Sequence, residues 1–189
     1  MCGRFAQKSS AKKITTQFKV EEVPPLVERF NVAPTQSVLV VREPNEREAV
    51  FLKWGLVPRW AKDTAIGNKL INARSETVTE RPSFREAFAR RRCLVPLDGF
   101  FEWARRGESK RPFYFHMRDG EPFAVAGLWE VWEGDGEPLE TCTLLTTEAN
   151  ELLAGYHDRM PVILKPEDYD LWLDADVQST EQLLPLLRR

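Results

Sequence analysis

The sequence predicts an α+β fold built on a curved, mainly antiparallel sheet or an open barrel, flanked by helices. Two observations carry this prediction. Short segments rich in apolar, aromatic or β-branched residues follow one another between residues 93 and 147, and turn residues separate several of them. Helical segments lie before and after this run, and strands in succession with helices at their flanks are typical of α+β proteins.

The N-terminal half is predicted to hold two helices and a hairpin. Ser9-Ser10 is a helix-capping pair, and the helix that it starts is expected to run to about Lys19. Residues 38–41 and 49–52 are predicted strands on either side of a polar turn at Pro44-Asn45. A second helix is expected over residues 82–91, since proline is favoured in the first helical turn.

The C-terminal half is predicted to begin with strands and to end with helices. The expected strands are residues 93–97, 99–104, 112–117, 123–131 and 141–147, with turns at Arg106-Gly107, Asp119-Gly120 and Gly134-Asp135-Gly136. A short helix near 148–153, a strand at 162–164 and helices at 167–173 and 180–187 are expected to follow.

Composition limits the class of protein. The chain has 189 residues, of which 42% are hydrophobic and 30% charged, so we expect one globular domain over residues 1–189. A net charge of −2 argues against a general nucleic-acid coat protein, so any DNA site must be a local patch drawn from the 27 Lys and Arg residues. No apolar stretch approaches the ~18–20 residues of a membrane span, and the N-terminus does not resemble a signal peptide. We therefore expect a cytoplasmic protein with no membrane partner.

The three cysteines are widely spaced and odd in number, which argues against a disulfide framework in a reducing compartment. No CxxC pair occurs, so we expect no structural metal. Cys2 differs from the other two because it follows the initiator methionine. Removal of Met1 would create an adjacent amine and thiol, a pair that traps aldehydes as a five-membered thiazolidine. The amine has a pKa of ~7.7–8.0 and the thiol ~8.5, so a nearby cation such as Arg4 would help the thiol to ionise. The alternative is a residue without function at a disordered terminus.

Three other positions carry candidate chemistry. His157 lies in a polar segment between a predicted helix and a strand, where a histidine can move protons at neutral pH; the alternative is a loop histidine bonded to backbone. Glu102 stands between Phe101 and Trp103, so desolvation is expected to raise its pKa, unless it faces solvent on an alternating strand. The second histidine, His116, lies in a predicted strand and is interpreted as structural or exposed.

Asn72 and Arg74 are separated by one residue, so they would share a face in an extended segment. A guanidinium can bind phosphate with two hydrogen bonds, which makes Arg74 a candidate DNA contact. A turn followed by a helix cap is the alternative for this segment.

Six short motifs occur in order along residues 1–165. They are MCGRF at 1–5, NVAPT at 31–35, WGLVP at 54–58, INARSET at 71–77, GFFEW at 99–103 and HDRMP at 157–161. Together they resemble the SRAP family, the SOS-response-associated peptidase family of abasic-site processing proteins. One such motif is weak evidence, whereas six in register are specific. Relatives usually continue past a helix like the one expected at 180–187, so this domain is expected to lack a short C-terminal segment.

The resemblance implies a mixed domain around a curved antiparallel sheet, and a covalent link between the processed N-terminal cysteine and an abasic site in single-stranded DNA. Matched residue by residue, it makes Cys2 the crosslinking residue and Asn72, Glu102 and His157 active-site residues. It places Arg4, Arg74 and Arg159 near the DNA backbone, and Pro34 and Trp60 in loops that line the DNA path.

The implied mechanism needs no metal and no cofactor. His157 would help the closed sugar to open, Glu102 would move protons at the amine, and Asn72 would hold the N-terminus or the sugar. Lyase activity and reversal of the crosslink would follow from the same Schiff base. We expect a monomer that is associated with the nucleoid when it acts on DNA. Two rival functions are a cysteine peptidase that uses Cys2 with His157, and a non-covalent single-stranded DNA-binding module.

Overall fold

A computed structural model describes residues 2–106, 109–134 and 136–188. Its twelve strands within these ranges are β1 (Phe5–Gln7), β2 (Arg29–Val32), β3 (Ser37–Arg42), β4 (Glu48–Trp54), β5 (Asn72–Arg74), β6 (Arg92–Leu97), β7 (Gly99–Arg106), β8 (Ser109–Phe115), β9 (Phe123–Trp132), β10 (Leu139–Glu148), β11 (Arg159–Pro161) and β12 (Ile163–Leu164). The α-helices are α1 (Ala11–Phe18), α2 (Arg85–Arg90), α3 (Glu151–Ala154), α4 (Tyr169–Leu173) and α5 (Thr180–Leu183). Short 3₁₀ helices lie at Thr64–Lys69, Ser75–Thr77, Pro166–Asp168 and Leu184–Leu187.

The strands form two sheets, which confirms the predicted α+β class. Strands β2, β1, β7 and β8 make a four-stranded antiparallel sheet in that order. In the second sheet β10, β4, β3, β6 and β9 pair in sequence, and β9 pairs back to β10, so these five strands close a barrel. Strands β5 and β11 add to β10, while β12 adds to β9. The pairings of β10 with β4 and β5 are parallel, and the others are antiparallel.

The first helix confirms the capping prediction. The Ser10 hydroxyl accepts a hydrogen bond from the Lys13 backbone N–H, which satisfies one of the unpaired donors at the start of α1. Lys19 ends the helix in the left-handed conformation, with φ of 54°. This helix packs Ile14 and Phe18 into the core, so the chain returns across the barrel after β1.

Some predicted elements differ from the structure. Helix α2 begins at Arg85 rather than at Pro82, because residues 81–84 form a turn in which the Arg81 carbonyl accepts the N–H groups of Phe84 and Arg85. Three-residue strands such as β1, β5 and β11 were not predicted, since so short a segment shows no alternation of apolar and polar residues. The predicted turns at Arg106-Gly107 and Gly134-Asp135-Gly136 include residues outside the described ranges.

The core consists of two clusters of buried side chains, and the second one supports the N-terminus. It contains Cys2, Phe5 and Trp54, and the rings of Phe5 and Trp54 lie 4.7 Å apart. Full burial of an aromatic or large aliphatic side chain contributes about 1.5–3 kcal/mol to folding, so Phe5 fixes the start of the chain against the barrel. Among the described residues, the helices are all too short or too polar to span a bilayer.

Candidate active site at the N-terminus

Cys2 lies where the four-stranded sheet meets the barrel. Strand β1 pairs with β7 through Phe5 and Phe100, and the Arg4 carbonyl accepts a hydrogen bond of 2.9 Å from the Phe101 N–H. The chain before β1 therefore continues along β7 toward Glu102. Cys2 is completely buried at this position. The structure thus places the residue in an ordered site, and the alternative of a disordered terminus is excluded.

The environment of the Cys2 thiol differs from the sequence expectation. Burial raises the pKa of this thiol well above its ordinary value, and the nearby Glu102 carboxylate raises it further. The Arg4 guanidinium donates a hydrogen bond of 3.2 Å to the Asn31 side chain on β2. Its expected help in ionising the thiol stays a prediction. Burial favours the neutral form of the thiol.

Asn72 holds the backbone of Cys2 directly. Its side-chain amide donates a hydrogen bond of 3.0 Å to the Cys2 carbonyl oxygen. Strand β5 brings it there by pairing with β10, in the register Asn72 opposite Leu144, and the Trp54 indole N–H fixes the preceding segment by donating 2.8 Å to the Ile71 carbonyl. The Asn72 Oδ1 atom is buried and accepts no hydrogen bond from the described residues. It is an acceptor that faces into the site.

Glu102 is buried on the inner face of β7, with 2% of its surface exposed. Burial raises the pKa of this carboxyl group, as predicted, and the charge of His157 acts in the opposite direction. The flanking aromatics are not the cause, because alternate residues of a strand face opposite sides and Trp103 is exposed. Phe113 lies directly across from Glu102 on β8, and its ring packs at 4.6 Å against Tyr156. Phe113 therefore lies on the same face of the sheet as Glu102.

His157 lies between α3 and β11, in the loop that the sequence predicted. Its backbone N–H donates 2.9 Å to the Leu153 carbonyl, which attaches the loop to the end of α3. Its ring nitrogen Nδ1 lies 2.9 Å from the backbone nitrogen of Arg159 and 2.7 Å from the carboxylate of Asp158. His157 is close enough to Glu102 for its charge to lower the pKa of that group. Cys2, Asn72, Glu102 and His157 therefore form one site.

Arg159 is adjacent to His157 in sequence, but its side chain faces away from solvent. The guanidinium makes a two-pronged ion pair with Glu76, at 2.7 and 2.9 Å, and also donates 2.7 Å to the Thr146 carbonyl. The residue is 9% exposed. A phosphate could bind this guanidinium only if the ion pair with Glu76 opened. This pairing could not be predicted from the sequence, since Glu76 and Arg159 are 83 positions apart.

Arg74 lies beside the site on a surface that includes a second arginine. As predicted, Asn72 and Arg74 face the same side of an extended segment, and both line a cavity of about 190 Å³. The other residues that line it are Leu70, Thr77, Arg81, Ser83 and Phe84. Arg74 and Arg81 are exposed, so this cavity brings two cations next to Asn72. Arg81 was missed, because one arginine in a charged segment carries no signal in the sequence.

Trp60 and Pro34 both lie in loops. Trp60 is 58% exposed, and its indole N–H donates 3.3 Å to the carbonyl of Pro82, the residue after Arg81. Its loop thus borders the surface that contains Arg81. Pro34 is half-buried in the loop between β2 and β3, and the next residue, Thr35, donates its backbone N–H at 2.8 Å to the Trp54 carbonyl. Within the described ranges, acidic, cysteine and histidine side chains form no cluster of three that could hold a metal ion.

The chain is similar in sequence to several known proteins. A protein of Bacillus subtilis (strain 168), the abasic site processing protein YoqW, is 42% identical over 194 aligned residues, which cover 100% of this chain and 87% of that protein. The abasic site processing protein YedK of Escherichia coli (strain K12) is 32% identical, covering 96% of this chain and 83% of that one. The chicken protein HMCES, also an abasic site processing protein, is 32% identical, covering 76% and 50%.

Two crystal structures of other proteins have a similar fold. A crystal structure of a protein from Bacteroides thetaiotaomicron superposes with a TM-score of 0.88 at 29% identity, covering 99% of this chain and 87% of that one. A second crystal structure, of a protein from Bordetella bronchiseptica, gives a TM-score of 0.81 at 29% identity, covering 92% and 89%. The family model described as SOS response associated peptidase (SRAP) matches residues 1–189. The chain therefore belongs to the SRAP family.

Proposed function

We propose that this protein processes abasic sites in single-stranded DNA by bonding covalently to them through Cys2. The observation that carries the proposal is the position of Cys2: it follows Met1, it is buried, and Asn72 holds its carbonyl beside Glu102. Removal of Met1 would place a new α-amine at this point. The names of the relatives, which are abasic site processing proteins, agree with an aldehyde-bearing DNA lesion as the target.

The first steps join the amine to the aldehyde. The Cys2 nitrogen attacks the aldehyde carbon, and the resulting carbinolamine loses its hydroxyl group as water to give a Schiff base. Glu102 is suited to supply the proton for that water, because its raised pKa allows it to keep a proton to higher pH than an exposed carboxyl. Asn72 holds the Cys2 backbone during these steps, and its buried Oδ1 can accept a hydrogen bond from the amine or from a sugar hydroxyl.

The last step closes the thiazolidine ring. The thiol sulfur adds to the imine carbon, the carbon–nitrogen π electrons move to nitrogen, and the thiol proton ends on that nitrogen. Because the pKa of the Cys2 thiol is raised, the thiol must lose its proton as it attacks. The ionised Glu102, regenerated after water has left, can relay this proton. The same Schiff base can instead lose a C2′ proton and its 3′ phosphate by β-elimination, which is lyase chemistry. Reversal of ring closure followed by hydrolysis of the Schiff base would release the DNA and the free amine.

His157 acts at the sugar in this proposal. An abasic deoxyribose is mostly a closed hemiacetal, so the bond between C1′ and the ring oxygen must break before an aldehyde exists. His157 would donate a proton to the ring oxygen as this bond breaks, while the proton of the C1′ hydroxyl passes through water to restore the imidazole. Its position near Glu102 supports a role at the reacting sugar rather than at a distant phosphate.

The DNA strand is proposed to cross the surface beside Asn72. Arg74 and Arg81 line one cavity there, and the exposed Trp60 could stack an unpaired base. Arg4 borders the site on its β2 side, and Pro34 lies in the adjoining loop. Arg159 is assigned a different task, because Glu76 and Thr146 already engage its guanidinium. Local cations explain how a chain of net charge −2 could bind DNA.

The peptidase alternative receives less support. A cysteine peptidase needs a thiolate that is activated by a nearby base or cation. In this protein burial and the nearby Glu102 carboxylate raise the pKa of the Cys2 thiol instead. A non-covalent binding module would account for Arg74, Arg81 and Trp60, but it would leave the burial of Cys2 against Asn72 and Glu102 without a purpose.

Intact mass and a denaturing gel test the proposal. The protein is mixed with a single-stranded oligonucleotide that carries one abasic site, and the covalent product should weigh one water less than the sum of its parts. A Schiff base has the same mass, so stability distinguishes the two products. The crosslink of the wild type should survive denaturation without a reductant. Cys2→Ala should give only a Schiff base, which survives only after reduction by borohydride. A purified protein that keeps Met1 and still crosslinks would refute the terminal-amine mechanism. A shift on native gels alone would favour non-covalent binding.

A further inference from the structure

One atom of His157 has two competing partners. The Arg159 backbone N–H donates toward Nδ1 at 2.9 Å, and an oxygen of the Asp158 carboxylate lies 2.7 Å from the same atom. A neutral imidazole carries one proton. If that proton is on Nδ1, the nitrogen can only donate to Asp158; if it is on Nε2, the nitrogen can only accept from Arg159. The two contacts therefore correspond to different states of the ring.

The contact with Arg159 is the more firmly held. The Asp158 side chain is 84% exposed, and water and salt weaken pairs of this kind by screening them. The Arg159 N–H belongs to the backbone of β11, at the point where Arg159 pairs with Glu148 on β10. A fixed donor competes better for Nδ1 than a mobile acceptor does. The neutral ring is thus expected to carry its proton on Nε2.

The side chain of Arg159 is anchored as well as its backbone. Its guanidinium is anchored by both oxygens of Glu76, at 2.7 and 2.9 Å, and by the Thr146 carbonyl at 2.7 Å. Two-pronged pairs between arginine and a carboxylate fix orientation as well as distance. Glu76 comes from the 3₁₀ helix Ser75–Thr77 that directly follows β5, so the anchor joins the Asn72 segment to the His157 segment.

We propose that Glu76 is a positioning residue for His157: by clamping the Arg159 side chain, it holds the Arg159 N–H on Nδ1 and keeps the proton of the neutral ring on Nε2. His157 then presents Nε2–H to the closed sugar, where it can donate a hydrogen bond to the ring oxygen as the bond between C1′ and that oxygen breaks. Without the clamp, Asp158 can draw the proton to Nδ1, and Nε2 becomes a base instead. The assignment of the proton does not depend on DNA, and only its effect on rate rests on the proposed function.

The ¹⁵N chemical shifts of the imidazole nitrogens report which of them carries the proton, and the chain has only two histidines. The measurement uses the DNA-free protein at alkaline pH, where imidazole rings are neutral, and His157→Ala assigns the signals. His116 is an internal reference of the opposite kind, because its Nδ1 lies 2.7 Å from the Met117 carbonyl and must donate to it. We expect the proton of His157 on Nε2. A proton on Nδ1 in the wild type would overturn the proposal, whatever the variants do.

Two variants separate the clamp from a general effect of charge. Glu76→Gln removes the carboxylate that holds Arg159, and should move the ring of His157 toward a mixture of the two forms. Glu80→Gln removes a carboxylate that lines the same 720 Å³ cavity as Glu76, and should leave the ring unchanged. The conservative Glu76→Asp should restore the Nε2–H form in part. If His157 keeps its proton fully on Nε2 in Glu76→Gln, Glu76 has no positioning role.

A double-mutant cycle supplies the functional readout. Glu76→Gln should slow crosslinking to abasic DNA, but should add no further loss in a protein that already carries His157→Ala. A residue that merely stabilises the fold would slow both backgrounds equally, and that result would refute the proposal. Failure of the wild type to crosslink would reject the proposed function, while the DNA-free spectra would still decide the role of Glu76.

Discussion

The side chain of Asn72 and the backbone of Cys2 are joined by a hydrogen bond of 3.0 Å across 70 positions of sequence. Asn72 belongs to a strand added to the barrel, whereas Cys2 precedes the central strand of the other sheet. This contact is therefore a direct link between the two sheets at the site itself.

Replacement of Asn72 should slow crosslinking by a moderate factor. A net hydrogen bond is worth about 0.5–1.5 kcal/mol, so Asn72→Ala is expected to lower the single-turnover rate by roughly two- to tenfold. Asn72→Asp should lower it further, because an ionised carboxylate cannot donate to the Cys2 carbonyl. Rates are measured on denaturing gels, with Asn45→Ala in the exposed β3–β4 turn as control. If Asn72→Ala crosslinks at the wild-type rate, the hydrogen bond between Asn72 and Cys2 does not contribute to the reaction.

Glu102→Gln should affect proton transfer more than DNA binding. Glutamine keeps the shape of the side chain but cannot exchange a proton, and general acid–base groups contribute about 10²–10⁴-fold to rates. Strand scission and release of a preformed crosslink should both slow by a factor in this range. DNA affinity, measured with an uncleavable analogue, should stay unchanged. If release proceeds at the wild-type rate in Glu102→Gln, another group moves the proton.

The same substitution should change how stability depends on pH. Burial raises the pKa of Glu102 above its ordinary value of 4.5, so the folded protein holds this proton more tightly than the unfolded chain. The stabilisation that comes from this proton is complete when the pH is below the pKa of Glu102 in the unfolded chain. It is lost as the pH rises through the pKa of Glu102 in the folded protein. The melting temperature of Glu102→Gln relative to wild type should therefore increase with pH across this window. Glu80→Gln serves as control, and parallel curves for Glu102→Gln and wild type would contradict the expectation.

His157→Ala should separate sugar opening from bond formation. The variant is expected to lose about 10²–10⁴-fold in crosslinking to abasic DNA, where the closed sugar must open first. A small aldehyde that has no ring needs no such step, so its reaction with Cys2 should be much less affected. Both rates can be followed by intact mass. Equal losses on the two substrates would remove His157 from the ring-opening step.

The arginines should fall into two groups. Arg74→Ala and Arg81→Ala should each weaken binding to single-stranded DNA and reduce the salt dependence by about 0.7 in the logarithmic slope, as expected for one phosphate contact. Arg159→Ala should instead lower the free energy of unfolding by about 1–3 kcal/mol, because it removes the hydrogen bonds of a buried guanidinium to the Thr146 carbonyl and to Glu76, whose half-exposed carboxylate stays hydrated. Arg90→Ala, an exposed residue at the end of α2, is the control. Unchanged slopes for Arg74 and Arg81 would exclude them as phosphate contacts.

Much of the fold could be predicted because its longer elements carry strong local patterns. Strands β3, β4 and β6 contain the predicted segments, and Ser10 and Lys19 bound α1 as expected. The short strands β1, β5 and β11 were missed, since three residues are stabilised by their neighbours in the sheet rather than by their own composition. These short strands are the ones that place Cys2, Asn72 and Arg159.

The candidate site was predictable in its residues but not in its electrostatics. Cys2, Asn72, Glu102 and His157 were identified from motifs, and the structure brings them together. Burial of Cys2 and the clamp between Glu76 and Arg159 could not be predicted, because both depend on contacts between distant parts of the chain. Motifs report which side chains are present, whereas the ionisation of a thiol depends on what surrounds it.

The burial of Cys2 also sets an order of events during synthesis. The N-terminal segment that contains Cys2 leaves the ribosome first. Strand β1 cannot pair with β7 until about 100 residues have been made. Until then the bond after Met1 is in an unfolded segment that an aminopeptidase can reach, whereas in the folded protein Cys2 has no exposed surface. If a separate enzyme removes Met1, it would act on each chain while that chain is still being synthesised. The fraction of molecules with a free Cys2 amine would then be set during translation, and more such molecules could come only from new synthesis.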